Sequence, residues 1–289
     1  MIILADSGST KTDWVILDGN RTIGKFQSVG MNPYFVSTPE AAQIVNEAIP
    51  KELAKHSIET VCFYGAGCSS PEKQKVINDA LQMVFPGKDT VVEHDLMAAA
   101  RALFGKSPGI ACILGTGSNS CVYDGEQITE SLFSLGYMFG DEGSGANLGK
   151  TYIAAHLKNK VPTEIAEAFR EHYKLSHEDI LTNIYKKANP NRFLASFTHF
   201  LRIHISHPYI HQLVVSCFDD FFKEQISKYS DYRSVPLGCI GSVAYHFREV
   251  FEISAHKMGI QPVKYMSSPM EGLVRYHLGE AGGFGESVE

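Results

Sequence analysis

The sequence predicts an α/β fold made of two mixed β-sheets with helices on their faces. Short apolar runs alternate with longer amphipathic segments along most of the 289 residues, a pattern typical of sheets covered by helices. A strand, a polar glycine turn, a second strand, an Asp-Gly hairpin and a third strand follow one another twice. We interpret this repetition as an internal duplication, against the alternative of two unrelated hairpins. The length of the chain allows a core in each copy.

The first copy is predicted to span residues 1–106. Its opening apolar run has no basic segment before it, which indicates a buried strand rather than a signal peptide. The Asp-Gly-Asn turn at 18–20 predicts a hairpin between the next two strands. Thr38 followed by proline predicts a helix capped by Thr38, with an interruption at Pro50. We predict strands at 2–5, 14–17, 22–27, 60–64 and 90–93, and helices at 38–56, 70–85 and 97–104.

The second copy is predicted to span residues 107–289, with a helical insertion at about 146–230. The same strand order surrounds that insertion, and the final helix is expected to pack back on the first copy. We predict strands at 110–114, 121–123, 128–132, 237–240 and 263–266. We predict helices at 146–158, 162–172, 177–187, 192–205, 209–229, 243–258 and 270–278.

Composition excludes several classes of partner. The net charge is -6 without a strongly basic stretch, which disfavours nucleic acid, because such binding depends on Lys and Arg neutralising phosphates. The apolar runs are too short to span a bilayer. The six cysteines include no C-x-x-C pair, and we expect them to be reduced core thiols of a cytoplasmic protein.

Two turns rich in Gly, Ser and Thr, at residues 6–13 and 115–119, suggest a phosphate site. Such turns direct backbone N–H groups and hydroxyls into one concavity that binds anionic oxygens. Asp6 is suited to hold Mg²⁺, a cation that prefers carboxylate and water oxygens, and Lys11 and Thr12 are placed near the phosphates. The alternative is two ordinary hairpins, and neither turn is a Walker loop.

Asp95 follows a predicted strand and precedes an alanine-rich helix. A carboxylate at the carboxyl end of a strand suits a general base that accepts a proton from a substrate hydroxyl. The alternative is that Asp95 is the N-cap of the helix. The sequence leaves both interpretations open.

Three further segments have a functional and a structural interpretation. Asp141 and Glu142, among four glycines at 136–145, suit hydrogen bonding to a polyol or a metal, or simply an acidic helix start. Asn32 suits a polar ligand or an Asx turn. Gly241 and Ser242 allow an adenine or ribose ring to approach the backbone, or close packing of helix on strand. His207 and His211 share a helix face without an H-E-x-x-H motif, so zinc is disfavoured.

These motifs together resemble the N-acetylglucosamine kinases and the wider BadF/BadG-type ATPases of the actin, sugar kinase and heat-shock superfamily. The resemblance covers nearly the whole chain, and its Gly-Asp-Glu-Gly-Ser segment is the most family-specific part. It is carried by DSGSTKT at 6–12, GTGSN at 115–119, LGYMFGDEGS at 135–144 and CIGSV at 239–243.

The resemblance implies duplicated RNase H-like, actin-like ATPase domains with ATP and an amino sugar in an interdomain cleft. It implies transfer of the γ-phosphoryl group of ATP to the sugar 6-hydroxyl, with Asp95 as the base, Asp6 positioning Mg²⁺, and a plausible homodimer. Positions that match sugar contacts are Asn32, Asp95, Thr116, Gly136 and Asp141. The residues predicted to bind ATP, from the turns and the resemblance together, are Ser9, Thr10, Lys11, Gly115, Thr116, Gly117, Gly241 and Ser242.

The chain departs from the family pattern at a few positions. Ser7 and Ser9 stand where other members have glycine, and small residues preserve the turn. Leu135 stands where the sugar kinases have a Trp that walls the sugar pocket, which leaves the identity of the sugar open.

Two other functions remain as alternatives. One is an ATP-driven activator of a partner dehydratase, in which cysteines hold a bridging iron–sulfur cluster; Cys62 and Cys68 are few and poorly spaced for it. The other is a sugar or nucleotide sensor without turnover, which an intact Asp95 argues against.

Overall fold

Two five-stranded mixed sheets form the frame of the protein. The computed structural model describes residues 1–8, 10–53, 57–260 and 262–280. The strands are β1 (Ile2–Ser7), β2 (Lys11–Asp18), β3 (Arg21–Val29), β4 (Thr60–Gly65), β5 (Asp89–His94), β6 (Gly109–Leu114), β7 (Ser118–Tyr123), β8 (Ile128–Ser131), β9 (Leu237–Ile240) and β10 (Pro262–Met266). The first sheet has the order β3-β2-β1-β4-β5 and the second the order β8-β7-β6-β9-β10.

Both sheets have the same topology. Strand β1 pairs antiparallel with β2 and parallel with β4, and β6 pairs in the same way with β7 and β9. The outer strands also correspond, because β5 pairs parallel with β4 in the first sheet and β10 pairs parallel with β9 in the second. The predicted duplication and the predicted RNase H-like fold class are therefore confirmed, and the alternative of two unrelated hairpins is wrong.

Helices cover the first sheet because its inner strands β1 and β4 are apolar on both faces. Ile3, Leu4 and Ala5 of β1 are fully buried. The first three helices are α1 (Thr38–Ala48), α2 (Pro71–Val84) and α3 (Asp95–Phe104). Helix α1 begins after Ser37, whose N–H and hydroxyl both donate to Glu40 Oε2, so the predicted cap at Thr38 is wrong by one residue. The helix ends before Pro50, as expected.

Three of the predicted helices that follow β8 differ from the structure by a break or an early end. The predicted helices 192–205 and 243–258 are each wrong as single helices, because each breaks at a buried phenylalanine, Phe197 or Phe247, whose ring packs into the core. The predicted helix 209–229 ends earlier, before a short 3-10 turn at Ile226–Lys228. These helices are α4 (Gly136–Phe139), α5 (Gly145–Leu157), α6 (Thr163–Tyr173), α7 (His177–Tyr185), α8 (Pro190–Ser196), α9 (Thr198–Ile203), α10 (Pro208–Glu224), α11 (Ser242–His246), α12 (Arg248–Lys257) and α13 (Met270–His277).

The described residues divide into two units, each with its own core. Unit 1 comprises Met1–Ser107, Gly125–Gln127 and residues 269–280, and unit 2 comprises Pro108–Asp124 and Ile128–Ser268. Within unit 1, helix α13 packs closely on α3. All six cysteines lie within the described residues, are buried and form no disulfide, which confirms the prediction of core thiols. Across the described ranges, no helix is long and apolar enough to cross a membrane.

Candidate active site

The first glycine turn joins β1 to β2 in unit 1. The N–H of Gly8 donates to the carbonyl of Lys11 at 3.0 Å and closes the hairpin, and the N–H of Gly30 donates to the carbonyl of Thr10 at 2.9 Å. The Lys11 ammonium is exposed and lies 2.7 Å from Asp13 Oδ2. Ser9, predicted to contact ATP, lies outside the described residues.

The buried hydroxyls of Ser7 and Thr12 support this turn through hydrogen bonds. The N–H of Met31 donates to Ser7 Oγ at 3.0 Å, and Ser7 Oγ lies 2.8 Å from Thr12 Oγ1. The Thr12 hydroxyl in turn donates to the carbonyl of Val29 at 3.1 Å. Thr12, predicted to lie near the phosphates, is thus fully buried and supports the turn from inside. Ser7 makes these hydrogen bonds through its hydroxyl, which a glycine at this position would lack.

Two carboxylates stand at the carboxyl edge of the first sheet. Asp6 is the penultimate residue of β1, and Asp95 directly follows β5. Ser7, Gly65 and His94 are register partners across β1, β4 and β5, so these strand ends share one edge. Burial raises the pKa of Asp6 to about 7, and the charges of Asp95 and Asp13 add to that rise. The carboxylate of Asp95 thus lies within electrostatic range of Asp6.

Asp95 is the first residue of α3 and not its cap. The cap is His94, whose Nδ1 accepts the N–H of Leu96 at 3.4 Å, so the alternative of Asp95 as N-cap is wrong. Burial raises the pKa of Asp95, while His94 and nearby backbone amides oppose the rise. A half-buried carboxylate with a raised pKa is what a general base needs in order to take a proton.

Asn32 lies in the segment between β3 and α1. Its Oδ1 accepts the N–H of Tyr34 at 3.0 Å, which confirms the predicted Asx turn. Its amide also lies against Gly67, where an added Cβ would come 2.8 Å from Asn32 Cγ. The side chain is therefore held in place, and its predicted contact with a ligand stays a prediction.

The second glycine turn joins β6 to β7 in unit 2. The N–H of Gly115 donates to the carbonyl of Gly117 at 3.0 Å. The first amides of α5 donate to the turn, with Gly145 N–H 2.8 Å from the carbonyl of Gly115 and Ala146 N–H 3.0 Å from that of Thr116. Thr116 itself is exposed. The turn thus presents Thr116 while the start of α5 holds its backbone.

Asp141 lies beside this second turn, and the Glu142 carboxylate contacts Gln225. The N–H of Ser118 donates to Asp141 Oδ1 at 3.3 Å, and an added Cβ at Gly117 would lie 2.9 Å from Asp141 Oδ2. Burial raises the pKa of Asp141, although the Ser118 amide opposes it. Glu142 Oε2 instead accepts Gln225 Nε2 at 3.3 Å, and that amide also donates to Ser118 Oγ at 3.0 Å.

Ser118 and Gln225 support the turn although neither is predicted from the sequence. Ser118 lies inside the glycine motif, but nothing local indicates that its hydroxyl donates to the carbonyl of Glu142 at 2.8 Å. Gln225 has no local signal, because it meets Ser118 across 107 residues of chain. Asp141 therefore contacts the turn directly, whereas the carboxylate of Glu142 is linked to it through Gln225.

Gly241 brings the start of α11 against the same turn. Its φ is +120°, and an added Cβ would meet the backbone of Leu114, 2.7 Å from the carbonyl carbon and 3.2 Å from Gly115 N. Close packing is thus confirmed here, and Ser242 beside it is exposed. Gly136, with φ +67°, begins the one-turn helix α4, which Lys150 holds by donating to the carbonyl of Tyr137 at 2.8 Å. Unit 2 accordingly gathers Gly115, Gly117, Asp141 and Gly241.

Comparison with known proteins decides the family. The model of the BadF/BadG/BcrA/BcrD ATPase family matches residues 5–197, a range that contains both glycine turns, Asp95 and Asp141. The chain belongs to the BadF/BadG/BcrA/BcrD ATPase family. The resemblance inferred from the motifs is thereby confirmed.

Individual proteins that are similar to this chain are named as kinases or candidate kinases of N-acetylglucosamine. It is 30% identical over 210 residues to an N-acetylmuramic acid/N-acetylglucosamine kinase of Clostridium acetobutylicum, covering 68% of each chain. A candidate N-acetylglucosamine kinase of Porphyromonas gingivalis superposes with a TM-score of 0.91 at 44% identity, over 96% of this chain and 99% of that one. A second candidate of that activity, from Chromobacterium violaceum, shares the fold with a TM-score of 0.74 at 15% identity, over 95% and 98%.

Proposed function

We propose that the protein is an ATP-dependent kinase that phosphorylates an amino sugar, N-acetylglucosamine, at its 6-hydroxyl. The observation that carries the proposal is the pair of carboxylates, Asp6 and Asp95, at one sheet edge beside the turn closed by Gly8. It supports the proposal because phosphoryl transfer needs a cation site and a proton acceptor close to the phosphates. The 30% and 44% identical relatives, named as kinases of this sugar, support the choice of substrate.

In this proposal Asp95 takes the proton of the sugar hydroxyl. The hydroxyl oxygen forms a bond to the γ-phosphorus, and the bond from that phosphorus to the β–γ bridging oxygen breaks. The electron pair of the broken bond leaves with ADP, and the proton goes to Asp95. Burial raises the pKa of Asp95, and this favours the transfer, because a carboxylate with a higher pKa accepts a proton more readily.

The residues present fit a magnesium ion bound together with the nucleotide. Among the described residues, no group of three or more His, Cys, Asp or Glu side chains forms a metal site by itself. Mg²⁺ commonly binds through one or two carboxylates, water and substrate phosphates, and Asp6 is the carboxylate proposed for it here. The ion would neutralise charge on the phosphates, and its positive charge would favour the ionised form of Asp6, whose pKa is raised mainly by burial.

The backbone turns are proposed to bind ATP, and exposed polar groups near them the sugar. Turn amides can hold anionic oxygens without a positive side chain, which suits a chain of net charge -6. The proposed ATP-binding residues are Ser9, Thr10, Lys11, Gly115, Thr116, Gly117, Gly241 and Ser242, and the proposed sugar-binding residues are Asn32, Asp95, Thr116, Gly136 and Asp141.

The proposal also covers the cellular compartment and the oligomeric state of the enzyme. Six buried thiols without disulfide bonds support a reducing compartment, the cytoplasm. Because Cys62 and Cys68 are both buried, a bridging cluster held by them, as in the activator alternative, is not proposed. A homodimer, which the family resemblance makes plausible, is testable by analytical ultracentrifugation.

A coupled assay of ADP release with Mg²⁺, ATP and a panel of hexoses, hexosamines and N-acylated hexosamines tests the proposal. We expect N-acetylglucosamine to stimulate release, with the phosphate located by ³¹P NMR on the 6-hydroxyl. Asp95→Asn should lower kcat by at least about 100-fold while a sugar-induced rise in Tm persists. Asp79→Asn, on the exposed face of α2, is the control and should keep full activity. No stimulation by any sugar would refute the function.

A further inference from the structure

The buried hydroxyls of Ser7 and Thr12 form a chain of hydrogen bonds with a fixed direction. The N–H of Met31 donates to Ser7 Oγ at 3.0 Å, and Ser7 Oγ lies 2.8 Å from Thr12 Oγ1. The Thr12 hydroxyl donates its one proton to the carbonyl of Val29 at 3.1 Å, so the proton between the two hydroxyls belongs to Ser7. The chain therefore begins and ends on the same short segment, residues 29–31.

The segment 29–31 leads directly from β3 to Asn32. Its middle residue is held as well, because the N–H of Gly30 donates to the carbonyl of Thr10 at 2.9 Å. Three successive residues are thus hydrogen-bonded to the first glycine turn, residues 6–13. Met31 is fully buried, so its N–H would stay unsatisfied if it lost its acceptor. The backbone position of Asn32 is accordingly tied to the turn.

Ser7 is also bonded to the segment that lies on the other side of Asn32. The N–H of Ala66, just after β4, donates to the carbonyl of Ser7 at 2.8 Å. The next residue, Gly67, lies against the Asn32 amide, since an added Cβ there would come 2.8 Å from Asn32 Cγ. Ser7 therefore holds one neighbour of Asn32 through its hydroxyl and the other through its carbonyl.

We propose that Ser7 and Thr12 are positioning residues, which fix the sugar-binding Asn32 relative to the turn that binds the ATP phosphates. The inference rests on the proposed function for the roles of Asn32 and of the turn. Contacts to both substrates then belong to one hydrogen-bonded unit, and correct orientation of the substrates is a large part of catalysis in phosphoryl transfer. The link depends on a serine at position 7, because the glycine of other family members has no hydroxyl to make it.

Three substitutions test the two hydroxyls separately. Ser7→Ala removes the acceptor of the Met31 N–H and leaves in place the backbone hydrogen bond that closes the turn. Thr12→Val keeps the branched shape of threonine and removes the donor to Val29, whereas Thr12→Ser keeps that donor. The measurements are Tm, kcat, KM for the sugar and KM for ATP.

We expect Ser7→Ala and Thr12→Val each to raise KM for the sugar by about 10-fold, as follows from losing one buried hydrogen bond that positions a ligand contact. KM for ATP should change by less than about 2-fold, because the amides of the turn stay in place. Thr12→Ser should have nearly the wild-type KM for the sugar. The control is Ser254→Ala, which removes a buried hydroxyl that donates to the Val215 carbonyl at 3.3 Å in unit 2. It should leave both KM values unchanged.

Hydrogen exchange followed by NMR gives a readout that needs no substrate. In Ser7→Ala the Met31 amide should exchange at least about 10-fold faster than in the wild type, because its acceptor is gone. The Gly30 amide keeps the carbonyl of Thr10 and serves as the internal reference. In Thr12→Val the Met31 amide should stay protected, since Ser7 Oγ still accepts its hydrogen bond.

An unchanged KM for the sugar in both Ser7→Ala and Thr12→Val would overturn the inference. Equal rises in both KM values, or a lower Tm with neither KM changed, would also contradict it, because a purely structural role produces these results. Thr12→Ser must recover the KM that Thr12→Val loses. If the wild-type protein is inactive toward every sugar, the proposed function fails, and the exchange rate of the Met31 amide still decides whether Ser7 holds this segment.

Discussion

Several site residues serve the fold and the proposed chemistry through different atoms. Ser7 braces the first turn with its hydroxyl while its backbone continues β1. His94 caps α3 through one nitrogen and contacts Asp95 through the other. Asp141 takes a left-handed backbone conformation, φ 56°, and accepts the Ser118 amide. Substitutions at such residues need controls that separate folding from function.

Gly241 offers a prediction about a single position. Gly241→Ala should lower the free energy of unfolding by about 3 kcal/mol, because the new Cβ meets the Leu114 backbone and the φ of +120° is strained for alanine. Urea unfolding measures the loss. Gly87→Ala is the control, since Gly87 also has positive φ, +72°, but has open space around it. The control should lose about 1 kcal/mol, and equal losses would show that contact with Leu114 is unimportant.

Helix α13 attaches to the first sheet through a buried polar relay. Arg101 Nη1 of α3 donates to Tyr64 Oη at 2.9 Å, and Tyr64 Oη lies 2.9 Å from His277 Nε2 of α13. With its oxygen accepting from Arg101, the Tyr64 hydroxyl donates to a neutral His277. Burial, followed by the charge of Arg101, lowers the pKa of His277 from 6.5 to about 4.

This relay predicts a pH dependence of stability. The neutral form of His277 is favoured in the folded protein, so its contribution is complete above pH 6.5 and is lost as pH falls toward about 4. The loss is at most about 3 kcal/mol. Because His277→Gln keeps an acceptor for Tyr64 and does not titrate, it should be less sensitive to acid in urea unfolding. His246→Gln, on the exposed face of α11, should retain the wild-type dependence. Parallel curves for wild type and His277→Gln would contradict the assignment.

Each of the two units has its own hydrophobic core, so a single unfolding transition is not assured. The chain has one tryptophan, Trp14, which is buried in unit 1 and stacks on Phe26 with ring centroids 5.5 Å apart. Most helices, α4 to α12, belong to unit 2. Tryptophan fluorescence therefore reports unit 1, and far-UV circular dichroism reports mainly unit 2.

A pair of glycine substitutions tests whether the units unfold independently. Gly149→Ala forces a Cβ against the Leu194 backbone in unit 2 and should lower the dichroism midpoint in urea more than the fluorescence midpoint. Gly272→Ala forces a Cβ to 2.6 Å from Ala102 Cα in unit 1 and should show the reverse order. If each variant shifts both midpoints equally, the molecule unfolds as one cooperative body.

Short-range chemistry is enough to predict the strands, the turns and the duplication. The spacing of apolar residues and the presence of turn-forming residues are local properties of the sequence. The sequence by itself therefore reveals both copies of the β-meander and the two glycine motifs. The family-specific segment around Asp141 stands out for the same reason, since backbone conformations that favour Gly or Asp leave their mark on composition.

Contacts between distant segments decide the rest. Phe197 and Phe247 interrupt helices because their rings find a core that neither sequence window reveals. Gln225 reaches Ser118 across 107 residues, and His94 replaces Asp95 as a cap through the position of its ring. A local pattern reports what a segment can form. Which partner a side chain meets depends on the packing of segments far apart along the chain, and the sequence alone does not contain that geometry in readable form.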